Sequence, residues 1–84
     1  MEIIGIIEQI LDKSKPPFKK RVAIVSDSIN KKNKWGVEFR KQLAETAKTL
    51  RPGDYIKVTC YNDFKIDNHN NYYNNVVAEK VERL

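Results

Sequence analysis

The sequence predicts a single small all-β domain, a five-stranded closed barrel with one short helix between its third and fourth strands. Three observations lead there. The chain has 84 residues, enough for one core and too few for two. Its apolar residues recur mostly at every second position, in runs bounded by Pro, Gly, Asn and Asp. In one stretch only, residues 41–50, that period lengthens to the helical one.

The first strand is expected over residues 2–12. Ile3, Ile7 and Leu11 fill one register and Ile4, Ile6 and Ile10 the other. A long strand that bends round and serves two packed surfaces explains this better than a half-buried one, with Gly5 as the site of the bend or bulge. Glu2, Glu8 and Gln9 interrupt the apolar run, which lacks the basic flank and cleavage site of a signal peptide. Residues 13–17 form a turn, because Pro16 and Pro17 cannot donate to a ladder. A second strand over 18–28 sets Val22 and Ile24 against Arg21, Ala23 and Val25, and a polar, lysine-bearing hairpin loop closes it over 28–34.

The third strand, 35–40, places Trp35, Val37 and Phe39 toward the core and Gly36, Glu38 and Arg40 away from it. Over 41–50, Leu43, Ala47 and Leu50 make one apolar helical stripe. Arg51-Pro52-Gly53-Asp54 ends it in a tight turn. A fourth strand over 54–61 sends Ile56, Val58 and Cys60 inward and Tyr55, Lys57, Thr59 and Tyr61 outward. The Asn- and Asp-rich segment 62–71 reads as a loop, and a fifth strand runs from 72 to about 81. This order is that of the OB fold, a small Greek-key barrel.

Charge is unevenly placed. The net charge is +5, but residues 13–51 hold twelve of the sixteen Lys and Arg against only Asp27, Glu38 and Glu45. A basic middle between near-neutral ends favours a polyanionic partner, nucleic acid being the commonest, over a surface charged only for solubility. The single cysteine, Cys60, has no disulfide partner, and the single histidine, His69, has no second ligand at metal-binding spacing. No metal, cofactor or catalytic constellation is expected, and the chain does not read as an enzyme. Cysteine usage fits a reducing cytoplasm, and no apolar run reaches the roughly 20 residues of a membrane span.

Three stretches add a family resemblance. Glu2-Ile3-Ile4-Gly5-Ile6-Ile7, the run from Phe39-Arg40-Lys41-Gln42-Leu43-Ala44-Glu45 to Leu50-Arg51-Pro52-Gly53, and the closing Tyr72-Tyr73-Asn74-Asn75-Val76-Val77-Ala78-Glu79-Lys80-Val81-Glu82-Arg83-Leu84 resemble the DNA-binding domain of bacterial single-stranded-DNA-binding proteins. Small phage and bacterial OB proteins and the primosomal OB protein are similar within the same fold. The resemblance implies an OB barrel that coats single-stranded DNA in replication, recombination or repair. The family's acidic, partner-recruiting tail is expected to be absent, since the chain ends with its last strand. The family carries a DNA-facing aromatic on strand three, and its match here is either Phe39 or Arg40. Phe39 shares parity with Val37 and is expected in the core, which leaves Arg40.

Single-strand binding needs cations for phosphates and exposed rings for bases. The cations expected to serve are Lys19, Lys20 and Arg21 at the second strand, Lys31, Lys32 and Lys34 on the next loop, Arg40 and Lys41 after the third strand, and Lys65. The expected rings are Trp35, which could equally be core, Tyr61, Phe64 in the loop before strand five, and Tyr72 and Tyr73, of which alternation lets only one reach ligand. The resulting reading is non-specific single-stranded DNA binding by a dimer or tetramer, since so small a core is helped by contacts between subunits. Two alternatives stand beside it: a protein-binding OB adaptor of the replication machinery, and single-stranded RNA binding.

Overall fold

The computed structural model describes residues 1–84. Five strands and one helix follow in the order β1 (Glu2–Asp12), β2 (Lys20–Asp27), β3 (Lys34–Arg40), α1 (Gln42–Ala47), β4 (Tyr55–Ile66) and β5 (Tyr72–Arg83). The strands close into one sheet in the order β1-β2-β3-β5-β4. All neighbours are antiparallel except β3 and β5, a parallel pair joined through Val37 opposite Val76 and Glu38 opposite Val77.

The apolar doubling of β1 has the expected cause at a different residue. Glu2 to Ile6 pair with β4, and Gly5 to Asp12 pair with β2, so one strand does serve two neighbours. The irregularity lies between Ile7 and Gln9, not at Gly5. Ile3, Gly5 and Ile7 are buried before it; after the extra residue the inward register changes, and Ile10 packs against the core. Gly5 meets a different need. A Cβ there would lie 1.9 Å from the backbone oxygen of Ser26, so only glycine lets β1 approach β2 this closely.

In β2 the inward set is Ala23 and Val25, both fully buried, while Val22 and Ile24 are half-buried on the outer face. Both sets are apolar, so alternation alone could not orient the strand. In β3, Val37 and Phe39 are fully buried and Trp35 packs against the same cluster, as their shared parity predicts. Ile56, Val58 and Cys60 of β4 complete the core with Ala78. Burial pushes the Cys60 thiol upward in pKa, which suits a small core hydrophobe.

The helix is shorter than its apolar stripe. It ends at Ala47, and Lys48, Thr49 and Leu50 continue through tighter bonds to Glu45, Thr46 and Ala47 carbonyls. Ala47 and Leu50 reach the core and Leu43 packs against it. Gly53 then turns the chain at φ 95°, a conformation that favours glycine.

The largest difference from expectation concerns residues 62–71. Only Asp67–Asn71 turn; Asn62 to Ile66 extend β4 in register with Tyr72 to Val76. Asp67 closes the hairpin alone: its carboxylate accepts the backbone N–H groups of His69 and Asn71, both through Oδ1. Those bonds hold its pKa below the ordinary carboxylate value. Phe64 and Lys65 therefore belong to a strand. No helix is long and apolar enough to cross a membrane.

Candidate nucleic-acid interface

Two surface features carry recognition chemistry. The first is an open cleft of about 590 Å³ between the β1–β2 turn and the start of α1. Lys13, Lys15, Lys19, Lys20, Arg40 and Lys41 line it with Pro17, Phe18 and Gln42, and Glu45 is the one acid among them.

Local hydrogen bonding fixes both walls. Lys15 and Phe18 exchange backbone bonds of 3.0 and 2.7 Å across the cis Pro16-Pro17 peptide. Ser14 Oγ accepts the Lys20 N–H at 3.0 Å, and the Lys13 N–H donates to the Lys20 carbonyl at 2.9 Å. On the other wall the Lys41 N–H donates to the Lys19 carbonyl at 3.1 Å. Lys41 holds φ 54° and ψ −123°, a conformation that costs a side-chain-bearing residue about 1–3 kcal/mol.

The cations differ in availability. Lys19 Nζ lies 2.7 Å from Glu45 Oε1, and Lys48 Nζ lies 2.9 Å from Glu45 Oε2. Arg40 is the most committed. Its Nε and one terminal nitrogen donate to Glu38 Oε2 at 2.9 and 2.6 Å, and the other terminal nitrogen donates to Asp63 Oδ2 at 2.8 Å. Lys20 joins the same group at 3.3 Å from Glu38 Oε1, and Lys65 lies 3.5 Å from Asp63. Glu38, only 8% exposed, is thus compensated by two cations. The guanidinium beside Asp63 holds that carboxyl below its usual range. Lys13, Lys15 and Lys41 pair with no carboxylate and supply the free charge.

The second feature is the β4–β5 hairpin. Register places Phe64, Ile66 and Tyr72 on one of its faces and Asp63, Lys65 and Tyr73 on the other. Phe64 and Tyr72 stack with ring centroids 5.9 Å apart and planes 25° apart, yet remain 58% and 69% exposed. The Tyr73 hydroxyl instead donates to Asp67 Oδ2 at 3.1 Å, tying that ring to the turn. The Arg40–Asp63 ion pair joins the hairpin to the cleft.

The remaining expected residues fall outside this pair of features. Arg21 sits on the opposite face of β2 from Lys20, 3.7 Å from Asp12. Lys31 and Lys32 are exposed on the loop after β2, away from the cleft lining, and Lys34 pairs with Glu8 at 3.0 Å. Trp35 packs inward, and its indole Nε1 is buried without a hydrogen-bond partner. Tyr61 is exposed opposite Val77, next to the Glu38 seam. Sequence reasoning missed Lys13, Lys15 and Phe18. The signal was present, since Lys-Ser-Lys-Pro-Pro-Phe alternates cations with stiff residues and an unburied ring.

The Lys19–Glu45 pair makes a pH prediction. Hydrogen bonds from Lys19 and Lys48 lower the Glu45 pKa from 4.5 to about 2. A depressed folded-state pKa contributes stability that is present above the unfolded value and is lost as pH falls through the folded one. Thermal melts between pH 5 and about 2 should therefore fall less steeply for Glu45→Gln than for the unmodified chain, with the two curves converging at the acid end.

No known protein family matches the chain, and no curated protein is similar to it.

Proposed function

We propose that this chain is an OB-type barrel that binds single-stranded nucleic acid, DNA in the first place, without sequence preference and without catalysis. The observation that carries the reading is the pairing of a lysine-rich cleft with an adjoining hairpin whose stacked, exposed rings have no burial role. Phosphates would lie along Lys13, Lys15, Lys20 and Lys41, and unpaired bases against Phe64 and Tyr72, the division of labour expected of single-strand binders. Action in replication, recombination or repair, and assembly into a dimer or tetramer, are proposed with it.

A ligand panel tests the reading. Anisotropy titrations with labelled oligo-dT, oligo-U and a duplex of equal length should give the tightest binding for oligo-dT and at least about tenfold weaker binding for the duplex, whose stacked bases cannot reach the rings. Equal affinity for duplex and single strand would reject it; preference for oligo-U would transfer the reading to RNA.

Ile66 favours a second reading. It is exposed beside Phe64 and Tyr72, and an aliphatic side chain has no ring face for a base. An apolar hairpin face of this kind suits a protein partner in an adaptor role. Absence of binding to every oligonucleotide in the panel would favour it.

A further inference from the structure

The cleft beside α1 gathers three unpaired lysines in one small space, a density of positive charge that suits linked phosphates better than a row of single diesters. Diesters supply about one negative charge per nucleotide, and a volume near 590 Å³ takes a ligand of roughly nucleotide size. Against that stand six basic side chains at the lining, of which Lys19, Lys20 and Arg40 are engaged by Glu45, Glu38 and Asp63 and Lys13, Lys15 and Lys41 are unpaired. A terminal phosphate carries about −1.5 to −2 at neutral pH, and phosphates linked in series put several charges into the same space.

Three details sharpen the match. Lys13, Lys15 and Lys41 have no intrachain partner to surrender, so a ligand gains their charge without breaking an ion pair. Phe18 lines the same cleft at 74% exposure, which leaves a ring face for a base. Lys41 presents its ammonium from a backbone conformation that glycine would adopt more easily. Nothing in the packing of the core requires a lysine there.

We propose that this cleft binds a nucleoside oligophosphate, with the linked phosphates among Lys13, Lys15 and Lys41 and the base on Phe18. The site goes beyond strand coating, because its ligand is defined by charge density rather than by chain length. The same chemistry is offered by a free nucleoside triphosphate and by the triphosphorylated end of a strand.

Calorimetric titration of the full chain tests the proposal, using ATP, inorganic tripolyphosphate, AMP, inorganic sulfate and a 5′-triphosphorylated oligonucleotide. Tripolyphosphate should bind about tenfold or more tighter than AMP, and ATP about fivefold or more tighter than tripolyphosphate through the stacked base. Lys13→Ala with Lys15→Ala should lower tripolyphosphate affinity about tenfold. Phe18→Ala should erase the advantage of ATP over tripolyphosphate. Lys41→Gly should weaken binding while the melting temperature stays level or rises, an outcome that loss of fold cannot mimic. Comparable affinity for ATP and the triphosphorylated strand assigns the free nucleotide as ligand; about tenfold preference for the strand assigns its end. Tripolyphosphate binding no tighter than that of inorganic sulfate, or unchanged by the lysine substitutions, would overturn the proposal. The result is independent of strand coating: a chain that ignores oligo-dT but takes up tripolyphosphate loses the first reading and keeps this one.

Discussion

Phe39→Ala is expected to cost about 3–5 kcal/mol of folding free energy, the range for removing a buried phenylalanine. Phe39 is 0% exposed and is among the largest fully buried side chains of the molecule. Its β3 neighbour Val37 is equally buried, and the helix and the turn after it close over the same cluster through Ala47 and Leu50. A domain of 84 residues holds only about 4–13 kcal/mol in total. The substitution therefore removes a large share of that margin, and the melting temperature should fall by roughly 12–40 °C at about 4–8 °C per kcal/mol. Urea unfolding followed by far-ultraviolet circular dichroism measures it. A loss under about 1 kcal/mol would mean that Phe39 is not a core residue, and would reopen it as a ligand-facing ring on strand three.

Phe64→Ala combined with Tyr72→Ala should act on binding and leave folding nearly untouched. Each ring stacked on a base is worth about 1–3 kcal/mol, so a single substitution should weaken oligo-dT binding about tenfold and the pair by more than that, up to about 100-fold. The two rings touch, so their effects are not expected to add strictly. Both are exposed at the far part of the hairpin, and removing their mutual contact costs folding only about 0.5–1.5 kcal/mol. The salt dependence of the residual binding should stay as it was, because no cation has been changed. Equal loss of affinity and of thermal stability would instead make the pair a structural clasp for the hairpin.

The parts of this structure that were legible in the sequence are those where one face is apolar and the other is not. Trp35, Val37 and Phe39 against Gly36, Glu38 and Arg40 orient β3 unambiguously, and Pro52-Gly53 marks the turn that follows the helix. In β2 both faces are apolar, and the pattern cannot distinguish Ala23 and Val25 from Val22 and Ile24. The hairpin beyond Tyr61 failed for the opposite reason. With solvent on both sides it carries no alternation, and Asn62 and Asp63 read as loop although the ladder pairs them with Val76 and Asn75.

The site was legible as composition more than as geometry. A cluster of lysines in residues 13–51 is visible in the sequence, and the structure gathers several of them at one cleft. Which charges are free is not visible. Arg40 and Asp63 lie 23 residues apart, yet they meet at 2.8 Å because β3 and the hairpin are brought together by sheet closure. That contact, with Glu38, commits the arginine to a structural ion network and moves the available charge to Lys13, Lys15 and Lys41.

The most direct test of the central claim is the affinity of the unmodified chain for oligo-dT as a function of salt. Neutralising about three to five phosphates of a single strand predicts a slope of roughly −2 to −4 in log affinity against log salt, with measurable binding at about 50 mM. Absence of binding at that salt, or an affinity that salt does not change, would contradict single-strand recognition by this surface.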